Sequence, residues 1–178
     1  LEAMRSGKPL GGVEGIAYRD PDGRIVKTPK RKAMDIHGVP LVNWEFFDVP
    51  RYIEKSAHAV TFGAREDEVK KTIPMPISTA RGCAFRCTFC HFVFWDDPYR
   101  CRTPESVLAE VKRNGDRYGA NYVNFWDDLS FASLPQVERM CDAILGSQMK
   151  FQWMASVRCD LFGRGKFPAA ASRLLSMM

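Results

Sequence analysis

Ile77-Ser78-Thr79-Ala80-Arg81-Gly82-Cys83-Ala84-Phe85-Arg86-Cys87-Thr88-Phe89-Cys90 is the stretch on which the reading of this chain turns. Ile77 to Ala80 reads as a strand running into a loop that places three cysteines within eight residues. The pattern then continues as helix, strand, helix, strand. Thr103 and Pro104 open a helix, with a hydroxyl cap and then a proline where a missing N–H costs nothing. Val107, Leu108, Val111 and Tyr118 lie near one face of it, and Gly119 is the stop. Tyr122 to Trp126 reads as a buried strand ending at Asp127-Asp128. Ser133 caps the next helix, whose apolar stripe is Val137, Met140, Cys141, Ile144 and Leu145, with Gly146 as its stop. Phe151, Trp153, Ala155 and Val157 alternate with polar neighbours as a further strand, and Ala169 to Met178 begins another helix. Repeated strand–helix units imply an α/β fold with parallel strands and right-handed crossovers. Three such strands cannot close a barrel, and the chain starts at Leu1, so a fragment of a larger protein is expected.

The rest of the sequence bounds the chemistry. With 178 residues, 46% hydrophobic and 26% charged, the chain has a globular balance and is not a disordered tract. No apolar run approaches the ~18 residues that span a bilayer, and with Glu2, Arg5 and Lys8 in the first ten residues no secretory signal is expected there. A soluble, cytoplasmic protein without membrane contact is expected. Net charge is +5, and the basic run Lys27, Lys30, Arg31, Lys32 lacks interleaved aromatics, so nucleic acid is not the expected partner.

Residues 1–30 carry a predicted hairpin, Gly15 to Arg19 and Arg24 to Thr28, around the turn Asp20-Pro21-Asp22-Gly23. Residues 31–73 read as a linker in which Trp44, Phe46 and Phe47 anchor to a neighbour, Arg51 to Ser56 forms a helical turn and His58 to Phe62 a short strand. Residues 74–178 carry the strand–helix repeats.

Cys83-x3-Cys87-x2-Cys90 is the chemical signal. Six cysteines without a secretory leader, three of them clustered, point to metal in a reducing compartment. A structural zinc site wants four tetrahedral ligands, whereas a cuboidal iron–sulfur cluster held by three thiolates leaves one iron open. Cys101 and His91 are poorly spaced to complete a zinc set, although a non-catalytic zinc-binding interaction module stays as an alternative.

Arg81 to Cys90, with an aromatic just before the third cysteine, resembles the cluster loop of the radical S-adenosylmethionine (radical SAM) enzymes. The likeness extends through Tyr99-Arg100-x-Arg102, Pro104-Glu105, Phe125-Trp126-Asp127-Asp128 and Val157-Arg158-x-Asp160. This run is similar to the subgroup whose catalytic domain follows a cobalamin-binding domain, and Gly15 to Arg19 with the hairpin resembles the stretch leaving that domain.

The resemblance implies the first half of a (β/α)6 partial TIM barrel, preceded by the tail of a cobalamin-binding domain and a linker. It implies that Cys83, Cys87 and Cys90 hold a [4Fe–4S] cluster whose open iron takes S-adenosylmethionine. Reductive cleavage to a 5′-deoxyadenosyl radical would follow, with an electron donor such as flavodoxin or ferredoxin as partner. Cobalamin-dependent methyl transfer or ring formation on a small molecule is the implied outcome, and a tRNA methylthiotransferase-type enzyme is a further alternative. Phe89 is implied to pack near the adenine, Asp127 or Asp128 to accept from the SAM ammonium, and Arg158 to fork onto the methionine carboxylate. Arg100 and Arg102 are expected to brace the loop or meet substrate, and Trp95 and Trp126 to sit in the core. One departure matters. Asp35-Ile36-His37 starts like a cobalt-binding signature, but Pro40 stands at its glycine position, so His37 is not taken as a cobalt ligand.

Overall fold

Local turn chemistry builds the first of two units, residues 1–34. The computed structural model describes residues 2–60, 66–90 and 98–163. After a short helix α1 (Glu2–Arg5), strands β1 (Ala17–Arg19) and β2 (Ile25–Lys27) pair antiparallel. Gly23 supplies the positive φ of 83° that closes their turn, and Asp20 Oδ1 accepts from Arg24 N at 2.8 Å. None of this unit's described side chains is buried.

The second unit, residues 35–178, holds the core. Its described elements are α2 (Val49–Val60), α3 (Glu66–Lys71), β3 (Pro74–Ile77), β4 (Ala80–Arg81), β5 (Arg100–Cys101), α4 (Pro104–Tyr118), β6 (Tyr122–Phe125), α5 (Leu134–Ser147) and β7 (Gln152–Ala155). β3, β6 and β7 form a parallel sheet in that order, with Ile77 beside Phe125 and Phe125 beside Ala155. The parallel pairing follows from the helical crossovers α4 and α5, as the strand–helix repeats imply. Ile77, Val123 and Phe125 meet Val107, Val111, Val137, Met140 and Cys141 of the two helices in one apolar cluster. Phe125, Phe131 and Trp153 stack within 5.3–6.3 Å.

Several boundaries differ from the sequence reading. β3 lies at Pro74–Ile77 rather than Ile77 to Ala80. The carbonyl of Ile73, just before the strand, and that of Ile77 accept from Tyr122 N and Trp126 N, so the imino nitrogens of Pro74 and Pro76 face away from β6 on what is an edge strand among the described residues. His58 to Val60 is helical, the end of α2, rather than a strand; Thr61 and Phe62 lie outside the described residues. α5 runs past Gly146 and stops at Gln148, which takes φ 56°. Thr103 caps α4 as expected, accepting from Ser106 N at 3.3 Å, and Gly119 ends it at φ 72°. Ser133 stands at the cap position of α5 without a side-chain bond. Among the described residues, no helix is long and apolar enough to cross a membrane. Ala169 to Met178 lies outside the described residues.

Candidate metal centre and its supporting frame

The thiol loop leaves the sheet beyond the carboxyl end of β3. A two-residue ladder, Ala80 beside Cys101 and Arg81 beside Arg100, closes its base, and Arg102 N extends it to Thr79 O at 2.8 Å. Gly82 follows at φ 74°, a conformation that a β-carbon would strain, and turns the chain into the loop.

Two charged side chains hold that base. Asp127, just past β6, accepts from Thr79 N (3.0 Å), Ala80 N (3.1 Å), Ser78 Oγ (3.1 Å) and Thr79 Oγ1 (2.5 Å). Four donor groups fill both carboxylate oxygens. Asp127, one of the two acceptors expected for the ammonium, thus clamps the strand exit, while the other, the neighbouring Asp128, is exposed. Arg102 is the second holder. It reaches Ser78 O at 2.9 Å, Ser106 O at 2.9 Å and Glu110 Oε2 at 2.5 Å. Glu110 is buried, its side chain only 3% exposed, and Arg113 Nη2 approaches its other oxygen at 3.4 Å. Arg102 thus braces the loop, one of the two roles expected of it.

The loop itself is less committed. Cys83 and Cys87 are half-buried and Cys90 is exposed. Cys90 N donates to Cys87 O at 3.1 Å, so the last two thiols sit on one turn. Among the described residues, no cysteine is in a disulfide and no three His, Cys, Asp or Glu side chains converge closely enough to hold a single metal ion. The expectation that three thiols share one centre is thus not met as a preformed cage. The physical reason is that bare thiols have nothing to gather them, and metal binding itself supplies the free energy that closes such sites. The donor set fits an iron–sulfur cluster, because a cube takes each thiolate on a different iron and needs no convergence on one point. Cys101 is turned away from such a set, its Sγ accepting from Gln136 Nε2 at 3.1 Å.

Arg158, just beyond β7, meets the loop. Nε and Nη2 fork onto Asp160 at 2.9 Å each, Nη1 donates to Cys87 Sγ at 3.0 Å, and the guanidinium lies 4.1 Å from the Phe85 ring centroid. The hydrogen-bonded Asp160 carboxylate raises the Arg158 pKa above its ordinary value. The fork assigned to a methionine carboxylate is therefore occupied within the chain. Beside this contact opens a cavity of about 400 Å³ lined by Phe85, Phe131, Leu134, Arg158, Asp160 and Leu161. Phe89 is 91% exposed and Trp126 71% exposed, so Trp126 is not core; Trp95 lies outside the described residues. Sequence reasoning missed Phe85 and Asp160 as partners of Arg158. The signal for Asp160 was its place two residues past Arg158.

Known proteins resemble this chain in sequence and in fold. No family's sequence profile matches the chain. It is 28% identical over 140 residues to cytidylyl-2-hydroxyethylphosphonate methyltransferase of Streptomyces wedmorensis, covering 65% of this chain and 25% of that protein. It is 25% identical over 147 residues to anaerobic magnesium-protoporphyrin IX monomethyl ester cyclase of Rubrivivax gelatinosus, covering 82% of this chain and 24% of that one. Its fold matches the cobalamin-dependent S-adenosylmethionine radical enzyme OxsB with a TM-score of 0.62 and 18% identity, over 99% of this chain and 23% of that one. The chain spans about a quarter of the length of the curated relatives it matches. In sequence the chain is thus similar to a methyltransferase and a cyclase, and in fold to a cobalamin-dependent S-adenosylmethionine radical enzyme.

Proposed function

We propose that this chain is the cluster-binding segment of a cobalamin-dependent radical SAM methyltransferase or cyclase acting on a small molecule. In this reading residues 74–178 are the first half of a partial (β/α)6 barrel, 31–73 a linker, and 1–30 the tail of a cobalamin-binding domain. Cys83, Cys87 and Cys90 hold a [4Fe–4S] cluster, and the braced loop base points them beyond the carboxyl ends of the parallel strands, where barrel sites lie. A bound cluster would supply the electron that cleaves S-adenosylmethionine, drawn from a donor such as flavodoxin or ferredoxin.

The chain's own residues do the rest. Exposed Phe89 offers a stacking face to the adenine, and exposed Asp128 an acceptor to the ammonium, in place of the engaged Asp127. Asp127 and the Arg102–Glu110 pair fix where the loop starts and ends. Cobalamin is held mainly by residues outside this chain. The reducing cytoplasm suits cysteines that form no disulfide among the described residues.

The observation that carries this reading is the three-thiol loop on a hydrogen-bonded frame at the strand ends. Anaerobic reconstitution with iron and sulfide tests it. About four irons and four sulfides per chain are expected, with a brown, oxygen-sensitive product. A colourless protein carrying stoichiometric zinc would overturn it.

A further inference from the structure

Arg158 is tied down from three sides. Asp160 takes two of its N–H groups in a bidentate fork, and the Phe85 ring packs against its plane. A guanidinium so held has little rotational freedom, and its remaining Nη1 is directed at Cys87 Sγ, 3.0 Å away. The contact joins residues 71 apart in sequence, one on the thiol loop and one just past β7. A solvent-facing arginine needs no such sulfur partner, and the carboxylate of Asp160 alone would satisfy its charge.

We propose that Arg158 is a positioning residue for the iron–sulfur centre. It presents a cationic N–H to the Cys87 sulfur and thereby raises that centre's reduction potential. The inference rests on the cysteine assignment in the proposed function. Reduction by a low-potential one-electron donor adds one negative charge to the cluster and its thiolates and leaves the donor oxidised by one electron. A fixed cation donating to a ligating sulfur stabilises the more negative, reduced state, because hydrogen bonds to the sulfurs and net charge are among the levers that set such potentials. The Asp160 carboxylate partly offsets the charge, so the effect depends on the directed Nη1–H rather than on charge alone.

The test is redox titration of the full chain after anaerobic reconstitution, with dithionite as reductant and the visible absorbance of the cluster as readout. Iron and sulfide content is measured on the same samples. Arg158→Gln should lower the potential, so that at a fixed poise the reduced-to-oxidised ratio falls about tenfold, about 59 mV for a one-electron couple. Loading of both proteins with an unchanged potential overturns the inference and leaves the proposed function standing. Failure of the wild-type chain to take up iron and sulfide overturns both. Should Arg158→Gln not load, Arg158→Lys decides: it keeps the charge and loses the fork, and a lowered potential supports the inference while an unchanged one overturns it. If neither variant loads although the wild-type chain does, Arg158 is structural and the inference falls.

Discussion

The base of the thiol loop and the loop itself sit a few residues apart and are built in opposite ways. At the base, Thr79, Ala80 and Arg102 have their polar groups met by Asp127, Ser78, Ser106 and Glu110, and most of these atoms are shielded from water. In the loop, Phe89 and Cys90 face solvent, and one bond to the loop from elsewhere in the chain is that of Arg158 to Cys87. Folding free energy is concentrated where the loop begins and ends. The thiols are left to be ordered by what they bind, as expected when metal binding and local folding are coupled.

If that contrast is right, substitutions in the frame should cost stability and those in the loop should not. The largest loss is expected for Glu110→Ala, which strands the Arg102 guanidinium in a buried setting; breaking such a pair costs about 3–5 kcal/mol, read by denaturant unfolding. Asp127→Asn keeps the shape but turns an amide against N–H and O–H donors, and a loss of about 1–3 kcal/mol is expected. An unfolding midpoint unmoved by either change would erase the distinction between base and loop. The pH dependence sharpens it further. Burial raises the Cys141 thiol above its ordinary 9.0, and burial, with the nearby Cys101 and Asp127, raises the Tyr99 phenol above 10.0. Both groups bind protons more tightly in the folded state. Their contribution is full below those ordinary values and is lost as pH rises from them through the raised, folded-state values, so stability should decline above about pH 9. A flat profile from pH 8 to 11 would contradict this. The smallest effect is expected for Phe89→Ala, within about 0.5 kcal/mol of wild type, because its side chain is exposed.

The sequence was most readable where one local rule decides the structure. Thr103, Pro104 and Gly119 bounded α4, and the alternation from Phe151 to Val157 marked β7, because caps and pleat act over a few residues. The helix stop at Gly146 misled because what ends α5 is the left-handed residue after its last turn, and Gln148 took that place. β3 hid behind Pro74 and Pro76, which read as strand breakers unless the strand is known to be outermost. In the candidate site, the three cysteines were legible from spacing alone. The work of Asp127 and the Arg158–Cys87 contact were not, because those partners lie 47 to 49 and 71 residues away, whereas the Arg158–Asp160 fork spans only two residues and was open to a spacing argument. Two of the residues given ligand-binding roles from the motif, Asp127 and Arg158, have partners within the chain.

The most direct test is iron and sulfide content after anaerobic reconstitution of the wild-type chain beside Cys83→Ala, Cys87→Ala and Cys90→Ala, with Cys159→Ala as the thiol control. Wild type and the control should each carry about four irons and four sulfides, while each of the other three loses the cluster yet keeps the unfolding midpoint of the unloaded wild-type chain. Full iron–sulfur content in any of the three loop variants, or equal loss in the control, would contradict the assignment of Cys83, Cys87 and Cys90 as the ligands.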